Sequence, residues 1–458
     1  MIVTVILTDV QGTAFNPLVV TISTDLHLTA AQVSWILNGY TLMGAACAGI
    51  LSRLGDAAGP RRVLLPVLCV SLVGSVICAL ASSFLLLIVG RVLIGFIVPS
   101  VALIWGLIRP RATQDENRRL SFLLGTSAAA GVALALVLGG WLLRLGAPWQ
   151  ALFWISAVLL LTAFAITWTV PEAPRVSSRA VSIDWYGGIG LALWLVALLL
   201  GLSYGPSYGW TSARVAGSLT VSVVVFALWT VQQIRTPDRL MAFRRSELRQ
   251  MVSGYTSVWS IYIAATFMYT FVPILLQAPA STGYGFGLDV LASSLPLTML
   301  IPAAAVIQLS LGRVLAQVGP RWVLGGGAVF GAAGFFGQAF FHGSILLVTA
   351  WVFVYALGLL ACYVAGFALT TASGRQDNIA ITVGLQYAGG NIVISISTAV
   401  VLAMLVPDAS GAIPHHVITS GLATGGVIML GLGALWFFLA PKHLVDEHAA
   451  PAVEVAQP

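Results

Sequence analysis

A single lysine, Lys442, serves a chain of 458 residues. A Walker A loop needs a lysine to reach the phosphates behind its glycine-rich turn. The chain therefore carries no such ATP site and is not itself an ATP-driven pump. Charge is scarce altogether: 8% of the residues are Asp, Glu, Lys or Arg, against about a quarter in an average soluble domain. With 59% apolar residues beside them, so few charges cannot clothe a water-soluble globule. Cysteine is rare too. Cys47, Cys69, Cys78 and Cys362 lie in apolar stretches without metal-ligand spacing, and they read as free buried thiols. The six histidines include no H-E-x-x-H pair, and no G-x-S-x-G elbow occurs. No enzyme activity, cofactor or metal site is expected.

What the chain has in abundance is apolar runs of about 20 residues, enough to cross ~30 Å of hydrocarbon as helix. Fourteen are read, at about 2–22, 31–52, 63–83, 85–107, 120–143, 150–170, 185–205, 213–234, 252–277, 288–311, 322–341, 344–371, 379–405 and 416–440. Of the 21 Lys and Arg residues, eighteen fall in the even-numbered connections or the C-terminal tail. Arg144 and Arg214 lie in odd connections, and Arg91 lies within a run. Basic residues flanking spans stay cytoplasmic. Even connections and both termini are thus placed in the cytoplasm, and the chain is expected to be a multi-pass plasma-membrane protein. Its net charge of +6 calls for no nucleic-acid partner, because arginines facing the anionic leaflet gain about 1 kcal/mol each.

One stretch occurs twice. Ser52-Arg53-Leu54 to Gly59-Pro60-Arg61-Arg62-Val63-Leu64 returns as Gly312-Arg313-Val314 to Gly319-Pro320-Arg321-Trp322-Val323-Leu324, a constant offset of 260 from Ser52 to Gly312. Gly125 and Gly131 keep the spacing of Gly384 and Gly390. A fixed offset marks duplicated halves. The expected organisation is an N-terminal six-helix bundle over 1–183, an inserted helix pair and linker over 184–250, a C-terminal six-helix bundle over 251–440 and a disordered cytoplasmic tail over 441–458. Parallel halves of this kind place a substrate site between them, near the membrane midplane.

The segment Ser52 to Arg62 resembles the G-x-L-a-D-R-x-G-R-R signature of the major facilitator superfamily: Asp56, Gly59 and Arg61 match, while Ser52, Ala57 and Pro60 depart. Arg91-Val92-Leu93-Ile94-Gly95 is similar to the family's R-x-x-x-G motif, whose arginine is implicated in proton coupling. Gln32 to Trp35 with Tyr40, Trp149 to Phe153, and Asp184-Trp185-Tyr186-Gly187 resemble features of its fourteen-helix drug:proton antiporter branch. In the fifth run Gly131, Gly139 and Gly140 fit the branch's glycine-rich motif, but Val132 stands where it has proline. Small residues there also serve any close helix crossing. The resemblance implies rocking halves, coupled protons and a small-molecule cargo.

Asp9 is the one acid expected deep in hydrocarbon. Ionised at the bilayer centre it would cost about 2.5 kcal/mol or more, so it must be protonated, paired or facing a wet cavity. Asp9, Thr13 and Asn16 share a helix face at i, i+4, i+7. Three roles stay open for Asp9: proton coupling, structure near the cytoplasmic gate, or none. The family's helix 1 signature puts Gln11 where its acid belongs. Span midpoints separate Arg91 from Asp9 by roughly 12 Å along the membrane normal, which speaks against a direct ion pair. Arg91 then acts electrostatically or snorkels outward. Trp259, Tyr262, Thr266 and Tyr269 share one face of the ninth run, and Tyr387, Asn391 and Thr398 one face of the thirteenth. Both stripes suit either an amphipathic ligand or plain helix packing. Asp56, with Gly59 and Arg61, is placed to latch a helix N-terminus or an arginine.

These observations lead to a secondary transporter, expected as a monomer, that exports hydrophobic or amphipathic small molecules against protons. Import of a nutrient by symport is the alternative. Single cysteines substituted at Arg118 and Arg245 are expected to escape an impermeant maleimide in sealed cells and to react only after permeabilisation; labelling of one but not the other in sealed cells would break the span assignment.

Overall fold

The computed structural model describes residues 2–15, 18–108, 114–172, 185–235, 248–373, 379–405 and 413–441. Among these the chain is helical, without a strand. The first half contains α1 (Ile2–Thr13), α2 (Val19–Asp25), α3 (Ala30–Ala58), α4 (Pro60–Ala79), α5 (Phe84–Ile94), α6 (Ser100–Ile108), α7 (Gln114–Arg144) and α8 (Gln150–Thr169). Then come α9 (Trp185–Tyr208) and α10 (Ala213–Arg235). The remainder holds α11 (Leu248–Gln277), α12 (Val290–Ser294), α13 (Leu300–Val318), α14 (Pro320–Phe340), α15 (Ile345–Ser373), α16 (Ile379–Met404) and α17 (His415–Leu439). Helix lies in each of the fourteen ranges read from the sequence. Among the described residues, ten helical stretches are long and apolar enough to cross a membrane, and two shorter apolar ones, Gly131–Arg144 and Tyr186–Leu202, accompany them. The C-terminal tail beyond Pro441 lies outside the described residues.

Three of the expected single helices are interrupted, each beside a proline. The first ends at Thr13, four residues before Pro17, whose ring would collide with the Thr13 carbonyl in a continuous helix. The fourth narrows into a 3-10 turn at Gly95–Ile97, just before Pro99, and the tenth does so at Leu295–Met299, around Pro296. Pro66 and Pro273 lie inside uninterrupted α4 and α11. Proline alone therefore does not dictate the breaks; neighbouring helices decide whether the freed carbonyl finds another partner.

Two large apolar cores form. One gathers residues from Leu7 to Ala163 with Phe367 and Val383, and the other gathers residues from Val258 to Ala440 with Ala133 and Leu136. A small third cluster, Ala45 with Leu191, Leu195 and Trp229, sets α9 and α10 against α3. α9 also touches α16, which runs along α3, so α9 lies over the line where α3 meets α16, with α10 packed against α9. Cys69 corrects an expectation: it is exposed on the outer face of α4, while the other three cysteines are buried.

Glycines bring backbones together where no side chain would fit. A β-carbon on Gly74 of α4 would lie 2.8 Å from the carbonyl oxygen of Gly90 on α5. Gly334, 260 residues after Gly74, abuts the backbone of Tyr355 on α15 in the same way, at 2.6 Å from its amide nitrogen. The repeat thus extends into the packing. Gly358 is pressed onto the backbone of Gly331 and Gly327, whereas Gly326 faces open space. Gly358→Ala is expected to lower the thermal midpoint in detergent by the equivalent of about 1–3 kcal/mol. Gly326→Ala is expected to hold or raise it, because alanine favours helix by up to about 1 kcal/mol.

Candidate functional site

Arg91 in the last turn of α5 is 1% exposed, a permanent cation sealed inside the first core. Its Nη1 donates to the Gln11 carbonyl at 2.9 Å and its Nε to the Ile36 carbonyl at 3.3 Å. The guanidinium lies over the rings of Phe15 and Tyr40, 4.6 and 5.1 Å from their centroids. Because α1 stops at Thr13, the Gln11 carbonyl is one of the final-turn acceptors left without an intrahelical donor, at the negative end of the helix dipole. The break in helix 1 thus supplies the acceptor that makes a buried guanidinium tolerable. Snorkelling does not describe this side chain.

Around it, polar side chains tie five helices. Gln11 Nε2 donates to Ser75 Oγ at 3.1 Å, the Tyr40 hydroxyl donates to the Thr8 carbonyl at 2.9 Å, and Thr8 Oγ1 meets Ser100 Oγ at 3.2 Å. The guanidinium touches α1 two residues from Asp9, about 3 Å of helical rise. That is much nearer than the span midpoints imply, since the side chain reaches across to a helix that ends early. The side chain of Asp9, all of Asn16 and the surroundings of Gly125 lie outside the described residues. Thr13 is half-buried in the last turn of α1.

The aromatic stripe of α11 meets α16. Trp259 Nε1 donates to the Gln386 carbonyl at 2.8 Å, and the rings of Trp259 and Tyr262 fill the space that side chains would take at Gly389 and Gly390. Packing therefore claims one edge of each ring, although both residues stay half-buried. Thr266 turns its hydroxyl back to the Tyr262 carbonyl of its own helix, and Tyr269 is half-buried further along. On α16, Asn391 is 8% exposed and donates to the Tyr387 carbonyl, while the Tyr387 hydroxyl meets that of Tyr363 on α15 at 3.2 Å. The same helix faces the first half through Ser395 Oγ, 3.3 Å from Thr41 Oγ1. The halves also touch near both ends, Trp105 against Phe367 at 5.6 Å and Gly140 against Leu291. Gly131 and Gly139 are buried along α7.

The connection between α3 and α4 has the most defined chemistry. Gly59 ends α3 at φ +108° and Pro60 opens α4; Gly319 and Pro320 repeat this between α13 and α14 at φ +80°. Positive φ suits glycine, and proline at the first helical position loses no bond. In the first copy both amides that open α4, those of Arg61 and Arg62, donate to the carboxylate of Glu172, at 3.0 and 3.1 Å. Arg61 grips the end of α8, donating from Nε to the Thr167 carbonyl at 3.2 Å and from Nη2 to the Trp168 carbonyl at 2.6 Å. The anion at this helix N-terminus is thus Glu172, which the sequence reading did not single out; Asp56 is half-buried in the final turn of α3. Gly59 is doubly constrained, since a β-carbon there would lie 2.8 Å from the Glu172 carboxyl carbon. The available signal was an acid two residues beyond a helix-length run, opposite a glycine-proline start. Glu172→Ala is expected to lower the thermal midpoint by the equivalent of about 1–2 kcal/mol, with Glu172→Gln retaining part of the effect, since an amide oxygen still accepts but carries no charge.

Residues 1–287 match the Major Facilitator Superfamily. The tetracenomycin C resistance and export protein of Streptomyces glaucescens is 26% identical over 409 residues, covering 86% of this chain and 72% of its own length. The methylenomycin A resistance protein of Streptomyces coelicolor is 25% identical over 312 residues, covering 66% of this chain and 63% of its own. The crystal structure of the human organic anion transporter MFSD10 (TETRAN) has a TM-score of 0.65, over 96% of this chain and 97% of that one, at 16% identity, a likeness of fold. A family match running through well over half of the residues, on an all-helical chain rich in membrane-length helices, means that this protein belongs to the Major Facilitator Superfamily and is a multi-pass membrane transporter of small molecules rather than an enzyme.

Proposed function

We propose that the chain is a proton-coupled exporter of hydrophobic or amphipathic small molecules, of the fourteen-helix drug:proton antiporter branch, working by alternating access in the plasma membrane. The observation that carries this reading is Arg91, a fully buried guanidinium bonded to the truncated end of the helix that bears Asp9. A fixed positive charge at that place sets the electrostatic field in which an acid on helix 1 would exchange its proton. Asp9 carries the proton in this scheme, and Arg91 sets the field in which it does so. Two relatives point the same way, the tetracenomycin C resistance and export protein and the methylenomycin A resistance protein.

The cargo would lie between a bundle formed by 1–183 and one formed by 251–440, with 184–250 as the inserted pair and linker. Both termini are cytoplasmic in this arrangement, and the unit is a monomer. Thr13 and Asn16 contribute hydrogen bonds from helix 1. Trp259, Tyr262, Tyr269, Tyr387 and Asn391 offer ring surface with polar tips, which suits flat, weakly polar molecules. Asp56, Gly59 and Arg61 hold the cytoplasmic ends of the first bundle in register while the halves rock.

Reconstituted in vesicles, Asp9→Asn is expected to lose at least about tenfold of the drug uptake driven by an imposed pH gradient. Insertion and drug binding should be retained. Undiminished gradient-driven transport by that variant would remove Asp9 from the mechanism, and a pump-deficient strain that gains no resistance to any lipophilic drug would remove export.

A further inference from the structure

At the end of the second half opposite its arginine-rich loops, three connections meet through one chain of rings. His342, just after α14, donates from Nδ1 to the Gln338 carbonyl at 2.8 Å; a carbonyl can only accept, so Nδ1 carries the hydrogen and Nε2 of the neutral ring keeps a lone pair. His415, the first residue of α17, brings its Nε2 to 3.1 Å from Nε2 of His342. The His415 ring is stacked on Tyr284 at 4.8 Å, and the Tyr284 hydroxyl donates to the Ile413 carbonyl. None of this belongs to the transport chemistry described above.

We propose that His342 and His415 form a site for a borderline transition-metal ion of the zinc, nickel or copper class. Four features support it. Zinc–imidazole bonds of about 2.0–2.1 Å set neighbouring nitrogens of a tetrahedral site roughly 3.3 Å apart, so the observed 3.1 Å needs only a small opening. The carbonyl held by His342 Nδ1 is the kind of outer partner that fixes the tautomer and orientation of a metal-binding imidazole. His415 is exposed, so an ion reaches the pair from the aqueous side, and the stack on Tyr284 holds its ring in place. The two rings stand at 68° to one another, so their nitrogens approach from different directions rather than clashing flat. No group of three or more potential ligands occurs among the described residues. Two imidazoles and exchangeable water therefore make up the coordination, which implies a reversible site. Imidazole donors select zinc, nickel and copper over magnesium and calcium. A bound ion would pin the start of α17 to the end of α14 and, through Tyr284, to the loop between α11 and α12.

The test uses the full-length chain in detergent, purified through a tag without histidine, and reads thermal unfolding with about 100 μM zinc chloride or magnesium chloride. Zinc is expected to raise the midpoint by about 3 °C or more and magnesium to leave it unchanged, since a ligand that binds only the folded state stabilises it. His342→Ala and His415→Ala should each abolish the zinc shift, and His416→Ala should keep it. Where an alanine variant does not purify, His415→Cys supplies a thiolate donor and should preserve the shift, while His415→Gln should not. Absence of a zinc shift in the unaltered chain, or its persistence without both histidines, overturns the proposal. The readout does not involve transport, so the site stands or falls apart from the proposed export function.

Discussion

Hydrocarbon offers no partner to an N–H or a C=O, and that constraint organises nearly everything in this molecule. Long helices satisfy their own backbones, so the interesting places are those where a helix ends or breaks within the bundle. The truncated end of α1 leaves acceptors exposed, and Arg91 fills them with a cation. The start of α4 leaves donors exposed, and Glu172 fills them with an anion. Each charge meets a helix terminus of opposite polarity, and for Arg91, the one of the two that is fully buried, this is where electrostatics makes burial least expensive.

Between these points cohesion rests on shape. In lipid no hydrophobic force pulls one helix to another, and association depends on close packing and a few hydrogen bonds. The contacts at Gly74, Gly334 and Gly358 bring backbones within reach of each other. Serine and threonine hydroxyls mostly return to carbonyls of their own helices, as Thr266 and Ser395 do. Polar bridges between helices supplement this around Arg91, between α4 and α8, and on α16, where Gln386 donates to Thr370 of α15.

Much of this was legible in the sequence because a membrane chain writes its fold in long apolar runs. The positions of the helices, the repeat at Gly59 and Gly319, and the placement of Arg91 inside an apolar run all follow from spacing and charge. The helix breaks were not legible, since Pro66 and Pro273 are tolerated where Pro17, Pro99 and Pro296 accompany interruptions. Partners across the bundle were also hidden. Gln11 reads as a replaced acid, yet its backbone carbonyl rather than its side chain meets the arginine. Glu172 reads as one more loop acid, because nothing in a linear pattern says that the end of α8 lies beside the start of α4. The aromatic stripe of α11 carried two readings, and the glycines of α16 that receive Trp259 and Tyr262 add packing to whatever else those rings do.

The double grip at Glu172 and Arg61 has a mechanical meaning. A carboxylate astride two successive amides and a guanidinium hooked on two successive carbonyls join α4 and α8 by four bonds of crossed polarity. Two rods fastened in that manner behave as a yoke: neither slides lengthwise without hauling its companion, and torque applied to one is delivered to the other.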